Sequence, residues 1–345
     1  MECTTVAVDL AKDVIEVAAA DRSGNVGSRQ RLSRAAFSRY LLKLPTCQIV
    51  MEACSGAHHW ARLAMSHGHK VKLMPAQYVG AYRRRNKTDR ADCMAILEAA
   101  KNNEILPVPV KRPDQQALQA LHRLRSQWMA TRTARINTLR GLLRELGVVI
   151  PMGAATAIKQ FPEAIDHQNV PPFLRPGLQS MLEEIRQLEH RTVQAERDLA
   201  AMTRHDPAVQ ILQKVSGIGL LTSTALVASA GDARHFRSGR YFASWLGLTP
   251  REHSSGNTRR LGGISKRGDS YVRMLLIHGA RSVMLRAKQQ LRSGRPLNRL
   301  QQWAVDLDGR VGHNKAATGL ANKIARIAWA CWMHGTDFNG NHAVA

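Results

Sequence analysis

Four carboxylates among the first hundred residues stand where cation chemistry would place them. Asp9 closes the apolar run CTTVAVD (3–9), Glu52 closes CQIVME (47–52), and Asp89 and Asp92 lie three apart at the start of an amphipathic stretch. In an open α/β sheet, ligands gather at the carboxyl ends of strands, and a spacing of three puts both Asp side chains on one helix face. Converging carboxylates offer hard oxygens to Mg²⁺ and leave positions open for phosphate oxygens. A cation so held can activate one oxygen and stabilise the leaving one during in-line displacement. Each acid also has an ordinary use: a turn Asp after a strand, a charge favoured by the helix dipole at Asp89, an ion pair from Asp92 to Arg85 or Arg90. Asp13 and Glu16 read as ordinary surface residues.

A second constellation is PREHSSGNTRRLGGISKRGD (250–269), a polar, basic, Gly-rich loop before a helix expected to begin near Ser270. A serine hydroxyl is a poor nucleophile until a base or a metal activates it. No Ser/His/Asp spacing is visible, although His253 is close, and Ser254 and Ser255 could equally bond the loop backbone. Arg259, Arg260, Lys266, Arg267 and Arg273 are candidate phosphate clamps, with a solvated loop as the plainer reading. Upstream, Gly217-Ile-Gly219 separates two apolar helical stretches. Such a turn lets backbone N–H groups and a helix N-terminus approach a phosphate, as in a helix-hairpin-helix, and equally lets two buried helices pack. Cys54, His58, His59, His67 and His69 fit no four-ligand zinc spacing.

The quartet Asp9, Glu52, Asp89 and Asp92, with Lys87-Thr-Asp-Arg-Ala-Asp92 at its end, resembles the DEDD insertion-sequence transposases, the insertion-sequence one-hundred-and-ten family. The Pro, Ser-Gly pair and Gly-Ile-Ser-Lys-Arg-Gly stretch of the second constellation resemble that family's transposase domain. The resemblance implies a RuvC-like, RNase H-type fold, Mg²⁺ held by the four acids, and Ser255, ahead of Gly256, as the nucleophile. It further implies donor and target DNA chosen by pairing with a structured guide (bridge) RNA, a 5′-phosphoserine intermediate, and exchange through a Holliday-junction-like structure. Two other readings stay open: a metal-only nuclease or junction resolvase in which Ser255 is a bystander, and a non-enzymatic nucleic-acid-binding protein.

Charge supports a polyanionic partner in all three. The 345 residues carry 50 Lys+Arg against 26 Asp+Glu, a net +24, and 37 of the 50 are Arg, whose planar fork matches phosphate oxygens in pairs. Five scattered cysteines without a C-x-x-C suggest a reduced, cytoplasmic chain, which the resemblance implies is bacterial and nucleoid-associated, and no apolar stretch is long enough to span a bilayer.

The elements that must position these residues follow from periodicity. Short β-rich runs at 3–9, 14–20, 47–52 and 70–74, with amphipathic stretches between and after them, predict an α/β layer. From Arg112 the pattern is helical, with an apolar stripe (Leu118 to Leu146) that stops at Gly147 and Pro151 and an opposite face of Arg123, Arg125, Arg132, Arg135, Arg140 and Arg144. That face suits nucleic acid or solvent. Five prolines between 151 and 177 read as a linker, and the heptad Leu178, Met181, Ile185, Leu188, Thr192, Ala195, Leu199, Met202 as a coiled coil. The seam would serve self-association into a dimer or tetramer, or packing within one subunit. The expected architecture is α/β, an RNase H-like mixed sheet of RuvC type with flanking helices (1–155), then a linker and coiled coil (156–205), then a mainly α-helical transposase domain (206–345) with a disordered tail near 336–345.

Overall fold

A computed structural model describes residues 4–83 and 89–341, with the backbone alone for Asp89 and Arg90. It divides into two compact units, Met1–Arg112 and Pro113–Ala345.

In the first unit, alternating apolar residues make the strands. β1 (Thr5–Leu10), β2 (Val14–Ala20) and β3 (Val26–Ser33) form an antiparallel meander, and β4 (Gln48–Glu52) and β5 (Lys70–Met74) add to it in parallel, giving the order β3-β2-β1-β4-β5. Parallel neighbours need crossovers. Helix α1 (Arg34–Lys43), capped by the Ser33 hydroxyl, leads into β4, and α2 (Ala57–Ser66) joins β4 to β5. Because successive side chains alternate faces, Val6, Val8, Ile49 and Met51 pack with Phe37, Leu41 and Trp60 of α1 and α2, whereas Ala7, Ala18 and Val50 pack with Cys93, Ile96 and Leu97. Those last three belong to α4 (Asp89–Lys101), which follows the single turn α3 (Ala76–Val79).

The second unit begins at Pro113, which departs from the expected boundary near 155. Helix α5 (Pro113–Glu145) packs its apolar stripe on α7 (Arg175–Met202) and on α9 (Leu220–Ala230), so it belongs with the helices that follow it. The α7 heptad faces α5 of the same chain: Ile185 and Leu199 are completely buried, and Leu178 nearly so. Ion pairs Arg125–Glu196, Arg132–Glu189 and Arg135–Glu184 run in opposite numerical directions along the two helices, which are therefore antiparallel. Two expectations change here. The seam is filled within one chain rather than offered for self-association, and three Arg of the basic face are matched by carboxylates. A fourth, Arg140, donates to the carbonyls of Pro151 and Gly153.

Replacing Ile185 by Lys should accordingly lower folding stability by on the order of 4 kcal/mol, through an unpaired charge in a sealed seam. A urea melt measures this, and wild-type stability in that variant would contradict an intramolecular seam.

The proline-rich segment is not a linker throughout, since α6 (Ala154–Ile165) forms within it and buries Phe161 and Ile165 against Leu139, Leu143 and Leu182. The remaining helices, α8 (Pro207–Gln213), α10 (Gly239–Trp245), α11 (Ser270–Arg292), α12 (Arg299–Val311) and α13 (His313–His334), share one core with α9. Residues 336–341, expected as disordered tail, are tied down: the Leu300 N–H donates to the Gly340 carbonyl, Arg299 N–H to Asn341 Oδ1, and Lys214 pairs with Asp337 at 2.6 Å.

Candidate functional site

The sheet's two faces differ in charge. Asp9 and Glu52 lie two residues beyond Ala7 and Val50, so they share the face that α4 covers and stand at the ends of adjacent parallel strands, one step past the Val8–Met51 pair. Asp92 lies on α4 over the same face and is buried, its Oδ1 accepting a 2.6 Å bond from Arg83 Nε. Among the described residues Arg83 is a cation that pairs with Asp92, a partner that spacing alone did not suggest; Arg85 and the Arg90 side chain, the partners expected from spacing, lie outside the described residues. Asp89 opens α4, but its side chain and Lys87 lie outside the described residues.

The field on this face is negative. Burial, then the carboxylates of Glu52 and Asp9, raise the Cys54 thiol pKa, while burial and the Asp9 and Glu16 carboxylates push Cys93 up to about 12. Glu16 was expected at the surface; it is instead nine-tenths buried, directly across the β1–β2 ladder from Asp9, with Oε2 accepting no hydrogen bond among the described residues. The donor chemistry is all hard oxygen, which suits Mg²⁺ rather than a transition metal. Among the described residues, no three His, Cys, Asp or Glu side chains are gathered tightly enough to enclose an ion. The histidines serve the fold: His69 Nε2 donates to the Leu41 carbonyl at 2.9 Å, and His58 Nδ1 accepts from the Lys111 N–H.

In the second unit, the expected loop is a β-hairpin. Strand β6 (Pro250–Glu252) pairs with β7 (Leu261–Ile264), and a Ser255–Thr258 bridge closes the tip around Gly256 and Asn257. Gly256 has φ of 53°, the left-handed conformation that a tight hairpin turn starting with Gly requires. The two serines differ in what they hold. Ser254 Oγ donates to Glu252 Oε1 at 2.7 Å and accepts from the Arg260 N–H, and Arg259 completes the cluster on Glu252, whose pKa falls chiefly through the Ser254 bond. Ser255 uses its backbone to bond Thr258 both ways, and among the described residues its hydroxyl has no hydrogen-bond partner.

The hairpin has a rigid foot. Ser265 N–H donates to Thr249 O, Lys266 N–H to Gly247 O, and Asn322 to Leu248 O. Lys266 is held at φ 56°, a conformation costing about 1–2 kcal/mol outside glycine. Asp269, next to Gly268, caps α11 by accepting from the N–H groups of Tyr271 and Val272. Deeper in, Thr224 Oγ1 gives its proton to the Leu220 carbonyl, so it accepts from His122 Nε2–H, leaving Nδ1 to accept from the Tyr271 hydroxyl. Burial lowers the His122 pKa to about 4, and this neutral ring joins α5, α9 and α11.

Of the phosphate-clamp candidates, Arg259, Arg260, Lys266 and Arg267 are exposed on or beside the hairpin. Arg273 is not. It is buried, and its Nη1 donates to the carbonyls of Leu246 at 3.0 Å and Gly268 at 3.3 Å, which assigns it to the hairpin's foot. Gly217, at φ 89°, meets Gly279 of α11 so closely that a Cβ on Gly279 would run into its carbonyl; helix packing explains it. Gly219 caps α9 with open space about it, keeping the turn between α8 and α9 accessible there.

Comparison with known proteins matches two stretches of the chain. A DEDD transposase model matches residues 6–148, and the model of the transposase IS116/IS110/IS902 family matches residues 209–294. A probable family 20 transposase of Pseudomonas aeruginosa is 42% identical over 96% of this chain and 97% of its own length. The chain belongs to this family. The transposase of insertion sequence element IS1111A from Coxiella burnetii is 37% identical over 94% of this chain and 88% of its own. A pilin gene-inverting protein of Moraxella bovis is more distant, at 27% over 61% of this chain and 59% of its own. Asp9, Glu52, Asp89 and Asp92 fall within the first matched stretch of this transposase, and Ser255 within the second. No helix among its described residues is long and apolar enough to cross a membrane.

The distinction between Arg273 and its neighbours is measurable. Arg273→Ala in this transposase should strand two carbonyls and lower stability by about 2 kcal/mol, leaving the salt dependence of DNA binding unchanged. Arg267→Ala should instead reduce the slope of log affinity against log salt by about one. A lowered slope in Arg273→Ala with normal stability would return it to the phosphate-binding set.

Proposed function

We propose that this transposase is an RNA-guided DNA recombinase that cuts and rejoins strands through a covalent 5′-phosphoserine at Ser255. The observation that carries the reading is the pair of adjacent hydroxyls with different partners, Ser254 locked to Glu252 and Ser255 unengaged at the tip of a firmly footed, basic hairpin. The order β3-β2-β1-β4-β5, with only β2 antiparallel to its neighbours, supports an RNase H-like, RuvC-type first domain.

In this account the Ser255 oxygen attacks a backbone phosphorus as its proton leaves for solvent or a nearby base, and the strand departs as a 3′-hydroxyl. One phosphate ester forms as another breaks, so the bond is conserved for resealing by the incoming strand. Arg259, Arg260, Lys266 and Arg267 offset charge developing on the phosphate. Asp9, Glu52, Asp89 and Asp92 would hold Mg²⁺, which supplies Lewis-acid polarisation of phosphate oxygens. Donor and target DNA are selected by pairing with a structured guide RNA, which the protein reads by shape and charge. Strand exchange needs several copies, so a dimer or tetramer forms through surfaces other than the α7 seam.

Incubation with Mg²⁺, guide RNA and donor and target DNA tests the reading. A protein–DNA adduct that survives denaturation supports it. Free-ended nicks without adduct would indicate a metal-dependent nuclease, and binding without cleavage a nucleic-acid-binding protein.

A further inference from the structure

Glu16 has no part in the four-acid reading, yet among the described residues it is a buried charge with an oxygen that accepts no hydrogen bond. Its side chain sits mid-strand in β2, nine-tenths buried, on the face shared with Asp9, Glu52 and Asp92. Register places it directly opposite Asp9, where like charges repel. Among the described residues Oε2 accepts no hydrogen bond, and the exposed Arg31 guanidinium, directly across the β2–β3 ladder, forms an ion pair with it at 3.7 Å. A carboxylate buried against a second carboxylate is destabilising unless their charge is offset, and the Arg31 guanidinium, 67% exposed, is largely screened by solvent. The Cys93 thiol bonds the Glu16 backbone carbonyl and leaves the carboxylate unsatisfied.

We propose that Glu16 is a fifth acid of the metal centre, supplying an oxygen and a negative charge to the divalent cation that Asp9 binds, in its coordination or water shell. The inference rests on the metal reading given above. It explains why an acid occupies an interior strand position whose neighbours, Val14, Ile15, Val17 and Ala18, are apolar. Glu16 would also strengthen the site on its β2 side.

The test uses the full-length protein with Mn²⁺ alone as probe, followed by calorimetry and by thermal melting with and without the ion. Glu16→Gln should weaken Mn²⁺ binding about tenfold, the loss typical when a group supporting a metal's ligands is removed. It should also raise the melting temperature of the metal-free protein, because one of two facing charges is gone, while shrinking the rise produced by Mn²⁺. Arg31→Gln should leave the affinity unchanged. Normal affinity in Glu16→Gln, with binding lost in Asp9→Asn, would overturn the Glu16 proposal and leave the metal reading standing. Normal affinity in both would overturn the two together. Should Glu16→Gln not fold, Glu16→Asp, which keeps the charge but withdraws it, should bind about fivefold more weakly, and wild-type affinity there counts against the proposal equally.

Discussion

Ser255→Ala should eliminate the covalent DNA adduct and all recombination while leaving DNA and RNA affinity within about twofold of wild type. The substitution removes one oxygen that holds nothing in the fold, so the hairpin, closed by backbone bonds between Ser255 and Thr258, keeps its shape. Loss of a covalent nucleophile is not repaired by the remaining groups, and about four or more powers of ten in rate are at stake. Ser254→Ala should behave differently. It breaks the bonds to Glu252 and the Arg260 N–H, loosens the lower hairpin, and slows recombination without abolishing the adduct. Gel analysis of denatured reactions measures both. Recombination surviving Ser255→Ala, or vanishing only in Ser254→Ala, would assign the nucleophile to Ser254 and make the Glu252 carboxylate its base.

The second large effect belongs to the acids. Asp9→Asn and Asp92→Asn should each abolish cleavage, as should Asp89→Asn, because a carboxamide keeps the shape and loses the charge that holds the cation. A metal's stabilisation of developing charge is worth several kcal/mol, so the loss is about a thousandfold or more. Asp92→Asn should have one further consequence, since it also ends the 2.6 Å bond with Arg83 and frees that guanidinium. Arg83→Gln supplies the control: it breaks the same pair without touching a ligand, and it should retain cleavage. Near-normal cleavage by Asp9→Asn and Asp92→Asn would remove the metal assignment.

What could be read in advance followed from periodicity, and what could not depended on partners far away in sequence. The runs at 5–10, 14–20, 48–52 and 70–74 are apolar enough to be recognised as strands, but β3, VGSRQRLS, is an edge strand with a mostly polar, exposed surface and leaves no apolar signature. The heptad in α7 was plain, yet period alone does not say whether a seam meets a second copy or α5; the three Arg–Glu pairs decide it. Pro162 suggested a break, although α6 continues through it while Phe161 and Ile165 gain burial. The positions of Asp9 and Glu52 at strand ends were legible because the apolar runs that they close are. Glu16 could have been noticed in VIEVAAA, where apolar neighbours on both sides demand an interior strand. Arg273 looked like its basic neighbours until its two carbonyl partners appeared. The hairpin around Ser255 was hidden by its composition, since its strands are short, exposed and held by the bonds at their foot rather than by a core.

The central claim, that Ser255 forms the bond to DNA, is tested most directly by locating that bond. Trypsin cuts after Arg251 and Arg259, so both candidate serines fall in one peptide, Glu252–Arg259. Adduct trapped on DNA, digested with nuclease and trypsin, should yield that peptide with a residual 5′-nucleotide, and fragmentation by mass spectrometry should place the added mass on Ser255. Mass on Ser254, or an unmodified peptide from a reaction that has cut and rejoined DNA, would contradict it.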